Sequence, residues 1–190
     1  MSTANGFRLL LLGPPGAGKG TQAERLSAKL GVPHISTGEI LRAEVAKGSP
    51  LGERAREAME RGELVTDDLM LDIVQARLHE EDCRSGFILD GFPRSLGQAV
   101  GFEETCGFKA ASLKVLSLEV PQEELVTRMA QRGREDDREE VIRQRLAVYR
   151  NETAPLREFY RKRDALVEIS GLGSMEDVFG RLLAHLGRSE

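Results

Sequence analysis

A chain of 190 residues carries a formal charge of −4, with 40% hydrophobic and 31% charged residues. That balance suits a single folded α/β domain with a full core and excludes a disordered chain. The acidic total gives no general attraction to nucleic acid or to an anionic membrane, so any anion site has to be built locally.

Met1 to Gly6 has neither the basic end nor the long apolar run of a signal peptide, and Leu9 to Leu12 is far too short to span a bilayer. The expectation is a cytoplasmic protein. Phe7 to Leu12 reads as a buried strand ending at Gly13. A helix follows from about Gly18 to Leu30, burying Ala23, Leu26 and Leu30. Val32 to Ser36 reads as a second strand. Three helical stretches come next, near Thr37–Lys47, Leu51–Arg61 and Asp67–Glu81, the last with Asp67 as its cap. Phe87 to Asp90 is a third strand and Leu113 to Val120 a fourth. Pro121 opens a helix running through Arg132. Ile142, Leu146, Tyr149, Thr153, Leu156 and Tyr160 then carry a long helical pattern that Pro155 should kink or divide. Leu166 to Ile169 is the last strand. Met175, Val178, Phe179, Leu182, Leu183 and Leu186 form a closing amphipathic helix. The alternation predicts an α/β fold with a mostly parallel central sheet flanked by helices on both faces. Cys83 and Cys106 form no CxxC pair, so neither a zinc site nor a disulfide framework is expected, and both read as reduced thiols.

The strongest chemical signal is Gly13-Pro-Pro-Gly-Ala-Gly-Lys-Gly-Thr21, between the first strand and the first helix. Glycines there let several backbone N–H groups converge on phosphate oxygens, the helix N-terminus adds its dipole, and Lys19 supplies a charge for the terminal phosphates. Gly20 stands where most such loops carry Ser or Thr, and the hydroxyl comes one place later at Thr21. This weakens the case for direct magnesium ligation by that hydroxyl. A phosphate loop names no reaction by itself. A second nucleotide site is suggested by Phe87-Ile-Leu-Asp-Gly-Phe-Pro-Arg94, a buried strand ending in an acid, then a tight turn and an arginine. Asp90 is placed to hold a metal's water shell.

The segments GPPGAGKGTQ, ISTGEILR, GELVTDDL, GFILDGFPRS and RGREDDREEVIRQRL resemble adenylate kinases in order and spacing, from Leu9 to about Val178. The resemblance implies a P-loop kinase domain over residues 1–190, an AMP-binding helical insertion at 36–65 and a short lid at 131–137. Long-lid relatives insert a small domain there, sometimes with four zinc ligands. This chain has only Gly133 between Arg132 and Arg134, so the long lid and its metal are not expected. Position by position, the resemblance implies that Gly16, Ala17, Gly18, Lys19, Gly20 and Thr21 hold the ATP phosphates. It puts Arg128 and Arg132 against ATP from the lid edge, with Gly173 beside the adenine. Thr37, Arg42, Glu63, Leu64, Val65, Gly91, Phe92, Pro93, Arg94 and Gln98 match AMP-site positions. Arg134 and Arg145 match arginines that bridge donor and acceptor phosphates.

The chemistry explains so much arginine independently. Two polyanions must be brought together, and phosphoryl transfer is largely a matter of positioning and charge stabilisation, for which a planar guanidinium fork is well suited. Arg134 and Arg145 stand eleven residues apart, close to three helical turns, and could share a face approximately. Arg138 and Arg143 are expected to pair with the acids of the same stretch. The expected reaction is reversible transfer of the γ-phosphoryl group of Mg-ATP to AMP, giving two ADP. Lys19, Asp90, Arg94, Arg132, Arg134 and Arg145 are the catalytic set, and closure of the mobile regions would exclude water. The expected cofactor is Mg²⁺, held through nucleotide phosphates and water, without zinc. The expected state is a monomer that engages ATP, AMP and ADP but no nucleic acid and no membrane. A UMP/CMP kinase and a non-catalytic nucleotide-binding regulator remain as alternatives. The histidines His34, His79 and His185 are scattered and are not expected to be catalytic.

Overall fold

The computed structural model describes residues 7–108, 112–134 and 137–187. Five strands, β1 (Phe7–Leu12), β2 (His34–Ser36), β3 (Gly86–Asp90), β4 (Lys114–Glu119) and β5 (Leu166–Ser170), form one sheet in the order β2-β3-β1-β4-β5. Every pairing is parallel. Alternate β1 residues serve different cores: Leu10 and Leu12 join one apolar cluster, and Leu9 and Leu11 join another. Burial on both faces is why β1 reads as a continuous leucine run rather than an alternating one. The parallel sheet flanked by helices is the fold class expected from the alternation.

The helices are α1 (Lys19–Leu30), α2 (Thr37–Lys47), α3 (Pro50–Arg61), α4 (Asp67–Leu78), α5 (Leu96–Cys106), α6 (Gln122–Arg132), α7 (Glu139–Val148), α8 (Pro155–Arg161) and α9 (Met175–His185). Four sequence expectations need correction. Helix α5 was not expected at all. Its start is capped by Ser95, whose Oγ accepts from Gln98 N at 3.0 Å. Helix α4 stops at Leu78 and is followed by a 3-10 turn at Glu81–Ser85. Its N-cap is Thr66, while the Asp67 carboxylate instead accepts a hydrogen bond from Ser95 Oγ at 2.8 Å. Met175 opens α9 but is 58% exposed, so the buried face of that helix begins at Val178.

Parallel topology brings the carboxyl ends of β1, β2, β3 and β4 to one edge of the sheet. The P-loop, Thr37, Asp90 and the turn that precedes Arg94 leave from that edge, as expected for ligand sites in open parallel sheets. Cys83 and Cys106 are free thiols. Among the described residues no helix is long and apolar enough to cross a membrane.

Candidate active site

The P-loop is shaped by its neighbours. A Cβ at Gly13 would lie 2.8 Å from the Leu118 carbonyl oxygen, and one at Gly16 would lie 3.0 Å from both Leu125 O and Met129 Cγ. Both glycines also have positive φ, 140° and 84°. Strand β4 and helix α6 therefore press on the loop from behind, and only glycine lets it wrap while its front stays open. Lys19, the first residue of α1, folds its ammonium back to the loop, donating to Gly13 O at 2.8 Å and Pro14 O at 3.0 Å. Burial lowers the Lys19 pKa to about 8; Asp90 opposes that shift, while Arg94, Arg145 and Arg132 add to it. Asp90 alone does not offset the burial of this lysine, and a polyphosphate would add the further negative charge that favours its ammonium form.

Asp90 ends β3 in a buried position. Burial works to raise its pKa, but His34, Lys19 and Arg94 outweigh that effect and hold the carboxyl below its ordinary value. His34 Nε2 lies 3.7 Å from Asp90 Oδ2, and its buried ring nitrogen has no hydrogen-bond partner. A Cβ at Gly20 would sit 3.5 Å from Asp90 Oδ2, in ordinary contact, so the P-loop position that lacks a hydroxyl lies directly beside this carboxylate. Thr21 is exposed.

A cavity runs from Lys19 and Gly13 to the second cluster, passing Arg145. Its far wall is made by Thr37, Arg42, Gly91, Pro93, Arg94 and Gln98, with Glu63, Leu64 and Val65 behind α3. Two guanidiniums converge there: a Cβ at Gly38 would be 3.4 Å from Arg42 Nη1 and 3.7 Å from Arg94 Nη2. Thr37 Oγ1 donates to Gly91 O at 2.9 Å, and Arg94 Nε donates to the same carbonyl at 2.6 Å. Gln98 is buried, and its Oε1 accepts from Arg94 N at 2.8 Å. Thus Thr37 and Gln98 both brace the Arg94 turn. Phe92 does not line the cavity. Its ring is buried in the core, 5.5 Å from that of Phe102 in an edge-to-face pair.

On the lid side, Arg132 makes a two-pronged contact with Asp137, Nε to Oδ2 at 2.9 Å and Nη2 to Oδ1 at 2.6 Å. Arg145 Nη1 reaches the same carboxylate at 3.4 Å, and the Arg134 backbone N–H donates to it at 3.1 Å. Burial works to raise the Asp137 pKa, but Arg132 and the Arg134 N–H prevail and keep it low. Arg134 and Arg145 do not share a helical face, because Gly133 and Arg134 are outside the helices and α7 begins at Glu139. Residues 135 and 136 of the expected lid lie outside the described residues. Arg143 pairs with Glu139 at 2.6 Å, as expected for a solvated helix face, and Arg138 is exposed at the start of α7. Arg128 stacks its length beside the loop after β5, donating to Glu124 Oε1 at 2.8 Å and Gly171 O at 3.2 Å, while Gly173 holds a φ of 101°.

The sequence set His34 aside as one of three scattered histidines and did not single out Asp137, Tyr149 or Thr153 as site residues. His34 pairs through β2 in register with Ile88 and so stands near Asp90, a relation visible only once the strand order is known. Tyr149 and Thr153 line the cavity from the segment that links α7 to α8. The helical period marked both of them only as core positions.

A P-loop lysine, a buried strand-end acid and a second arginine cluster across one cavity define a phosphotransferase of the P-loop kinase class. A family model described as adenylate kinase matches residues 11–165. An adenylate kinase of Xanthomonas euvesicatoria pv. vesicatoria (strain 85-10) is 51% identical over 187 residues, covering 96% of this chain and 100% of that protein. An adenylate kinase of Mycolicibacterium smegmatis (strain ATCC 700084 / mc(2)155) is 47% identical over 183 residues with the same coverage. The chain belongs to the adenylate kinase family.

Proposed function

We propose that the cavity between Lys19 and Arg94 carries out reversible transfer of the γ-phosphoryl group of ATP to AMP, giving two ADP and so balancing adenine nucleotides. The carrying observation is that Lys19 and Arg145 line one cavity whose far wall holds Arg42, Arg94, Thr37 and Gln98. A regulator with one nucleotide site would leave the second arginine cluster without a purpose, and the pocket's braced Gln98 favours AMP over the pyrimidine acceptors of a UMP/CMP kinase.

In this reading the P-loop N–H groups of Gly16 to Thr21 and the Lys19 ammonium hold the donor phosphates. Arg128 and the Gly173 loop cover the adenosine end. Residues 36–65 form the acceptor lobe and 131–137 the short lid. Arg42 and Arg94 clamp the AMP phosphate, and its ionised oxygen attacks in line, with no general base required. Arg132, Arg134 and Arg145 neutralise charge on the moving phosphoryl group. Asp137 engages Arg132 and Arg145 and has to yield them to phosphate when nucleotide binds. Asp90 is a buried, ionised, hard oxygen donor at the strand end, which suits the water shell of Mg²⁺. When bound with ATP, that ion would supply neutralisation of the donor phosphates. No zinc is part of the proposal, because the lid stretch is too short to hold a ligand set. The working form is proposed to be a cytoplasmic monomer.

The test is Arg94→Ala. Loss of a charge-stabilising donor should lower kcat/KM on the order of 10² to 10³-fold, with the circular dichroism of a folded protein retained. Arg94→Lys should recover only part, since an ammonium cannot form the fork. Near-normal turnover by folded Arg94→Ala would overturn the assignment.

A further inference from the structure

Helices α7 and α8 are joined without a loop. Between them the chain widens into a π turn, Tyr149–Thr153, in which Ala154 N–H donates to Tyr149 O at 2.8 Å. Pro155 explains the widening. It has no N–H to give, and its ring would collide with the carbonyl four residues earlier in a regular helix. A π turn accommodates the extra residue and often marks a functional segment.

The widening redirects one hydroxyl. A helical threonine commonly turns its Oγ1 back to the carbonyl four residues earlier. For Thr153 that carbonyl belongs to Tyr149, which already accepts Ala154 N–H. Thr153 Oγ1 instead leaves the helix and donates to the Arg94 carbonyl at 2.6 Å, across 59 residues of sequence. Thr153 is only 8% exposed, so water competes weakly for this bond. The Arg94 backbone is thereby held on both sides of its Cα, its N–H by Gln98 Oε1 and its C=O by Thr153 Oγ1. The side chain is anchored a third time, through Nε to Gly91 O.

We propose that Thr153 is a positioning residue for phosphoryl transfer: its hydroxyl fixes the Arg94 carbonyl and so aims the Arg94 guanidinium at the acceptor phosphate. The inference rests on the role of Arg94 proposed above. It also ties the turn that follows α7, the helix bearing Arg145, to the turn bearing Arg94.

The experiment compares Thr153→Val and Thr153→Ser, each in wild-type and Arg94→Ala backgrounds, by steady-state kinetics with ATP and AMP and by thermal melting. Thr153→Val keeps the shape and removes the donor. It should lower kcat about ten- to a hundredfold, as expected when a catalytic group is misaimed, and raise the KM for AMP, with the KM for ATP unchanged. Thr153→Ser, which keeps the donor, should restore turnover to within a few-fold. In the Arg94→Ala background, Thr153→Val should cause no further loss. Wild-type kcat and AMP KM in folded Thr153→Val would overturn the proposal, and so would an equal loss in both backgrounds. Normal turnover by Arg94→Ala would instead overturn the underlying role of Arg94, and that single variant reads it separately. If Thr153→Val does not fold, Thr153→Ala against Thr153→Ser makes the same comparison, with failure of Ser to outperform Ala counting against the proposal.

Discussion

Lys19 offers a quantitative handle on the donor site, because burial and three arginines act against its charge more strongly than Asp90 supports it. Burial, with Arg94, Arg145 and Arg132, puts its folded pKa at about 8 against an ordinary 10.5. The sign follows from which state holds the proton. Between pH 8 and 10.5 the unfolded chain keeps the proton that the folded protein has lost, so this group's contribution to stability rises with pH across that window. Its penalty at neutral pH is about 3 kcal/mol. Phosphate oxygens at the P-loop reverse the balance and return the lysine to its charged form. At pH 8.5 a group titrating near 8 is about one quarter protonated, so ATP binding should take up about 0.7 proton, while at pH 6.5 uptake by Lys19 should fall below about 0.1. Calorimetric titration with ATP, without AMP, in buffers of different ionisation enthalpy reads this number directly. The affinity for ATP should also weaken about tenfold per pH unit above pH 8. Lys19→Met should abolish the uptake at pH 8.5. Zero uptake in the wild type at pH 8.5, or equal uptake in Lys19→Met, would refute the reasoning.

Two further perturbations probe the acceptor lobe and the lid. A Cβ at Gly52 would intrude on the Glu44 carbonyl and lie 2.6 Å from Val45 N, so Gly52→Ala must push α3 away from α2. Overpacking of this kind costs about 1–3 kcal/mol, and melting should drop by about 3–10 °C with a raised KM for AMP; an unchanged melting curve would count against the α2–α3 packing. Asp137→Asn removes the anion shared by Arg132 and Arg145 and should cost about 1–3 kcal/mol at pH 7. Because the folded Asp137 carboxyl titrates below its ordinary 3.8, the gap between wild type and variant should persist to about pH 4 and close as pH falls further, as urea melts at several pH values would reveal.

Much of the fold was legible because strong local signals agreed. Strand β1 and helix α2 fall on the expected residues, since an apolar run closed by glycine and a helix closed by Gly48 leave little freedom. Helix α5 was not assigned from the sequence, and it carries Gly97 and Gly101, residues of low helix propensity. Their reason is tertiary: a Cβ at Gly97 would strike the Asp67 carboxylate, and one at Gly101 would come 2.5 Å from Leu71 Cδ1. Close packing of α4 overrode helix propensity there. The P-loop and the Arg94 turn were readable as motifs, and the family resemblance is upheld by the comparisons. The bracing around Arg94 was not readable as a whole, because Thr153 meets it only through packing between distant elements, although Gln98 reaches it from four residues away. Asp137 was seen as one acid in a charged run; that its carboxylate gathers Arg132 and Arg145 depends on how α6 and α7 approach.

The most direct test of the central claim is a coupled assay of the wild-type protein with ATP and, in turn, AMP, GMP, CMP and UMP. Gln98 spends one Oε1 lone pair on Arg94 N and retains a second lone pair and its amide donors for a base edge that has both donor and acceptor, as adenine does. A pyrimidine would leave part of that pairing unmade, at a cost of about 1–3 kcal/mol for each buried group. The account predicts that AMP is preferred over CMP and UMP by at least roughly 10² in kcat/KM. Equal use of CMP or UMP would contradict the choice of acceptor, and no transfer to any of the four would contradict the phosphoryl-transfer site itself.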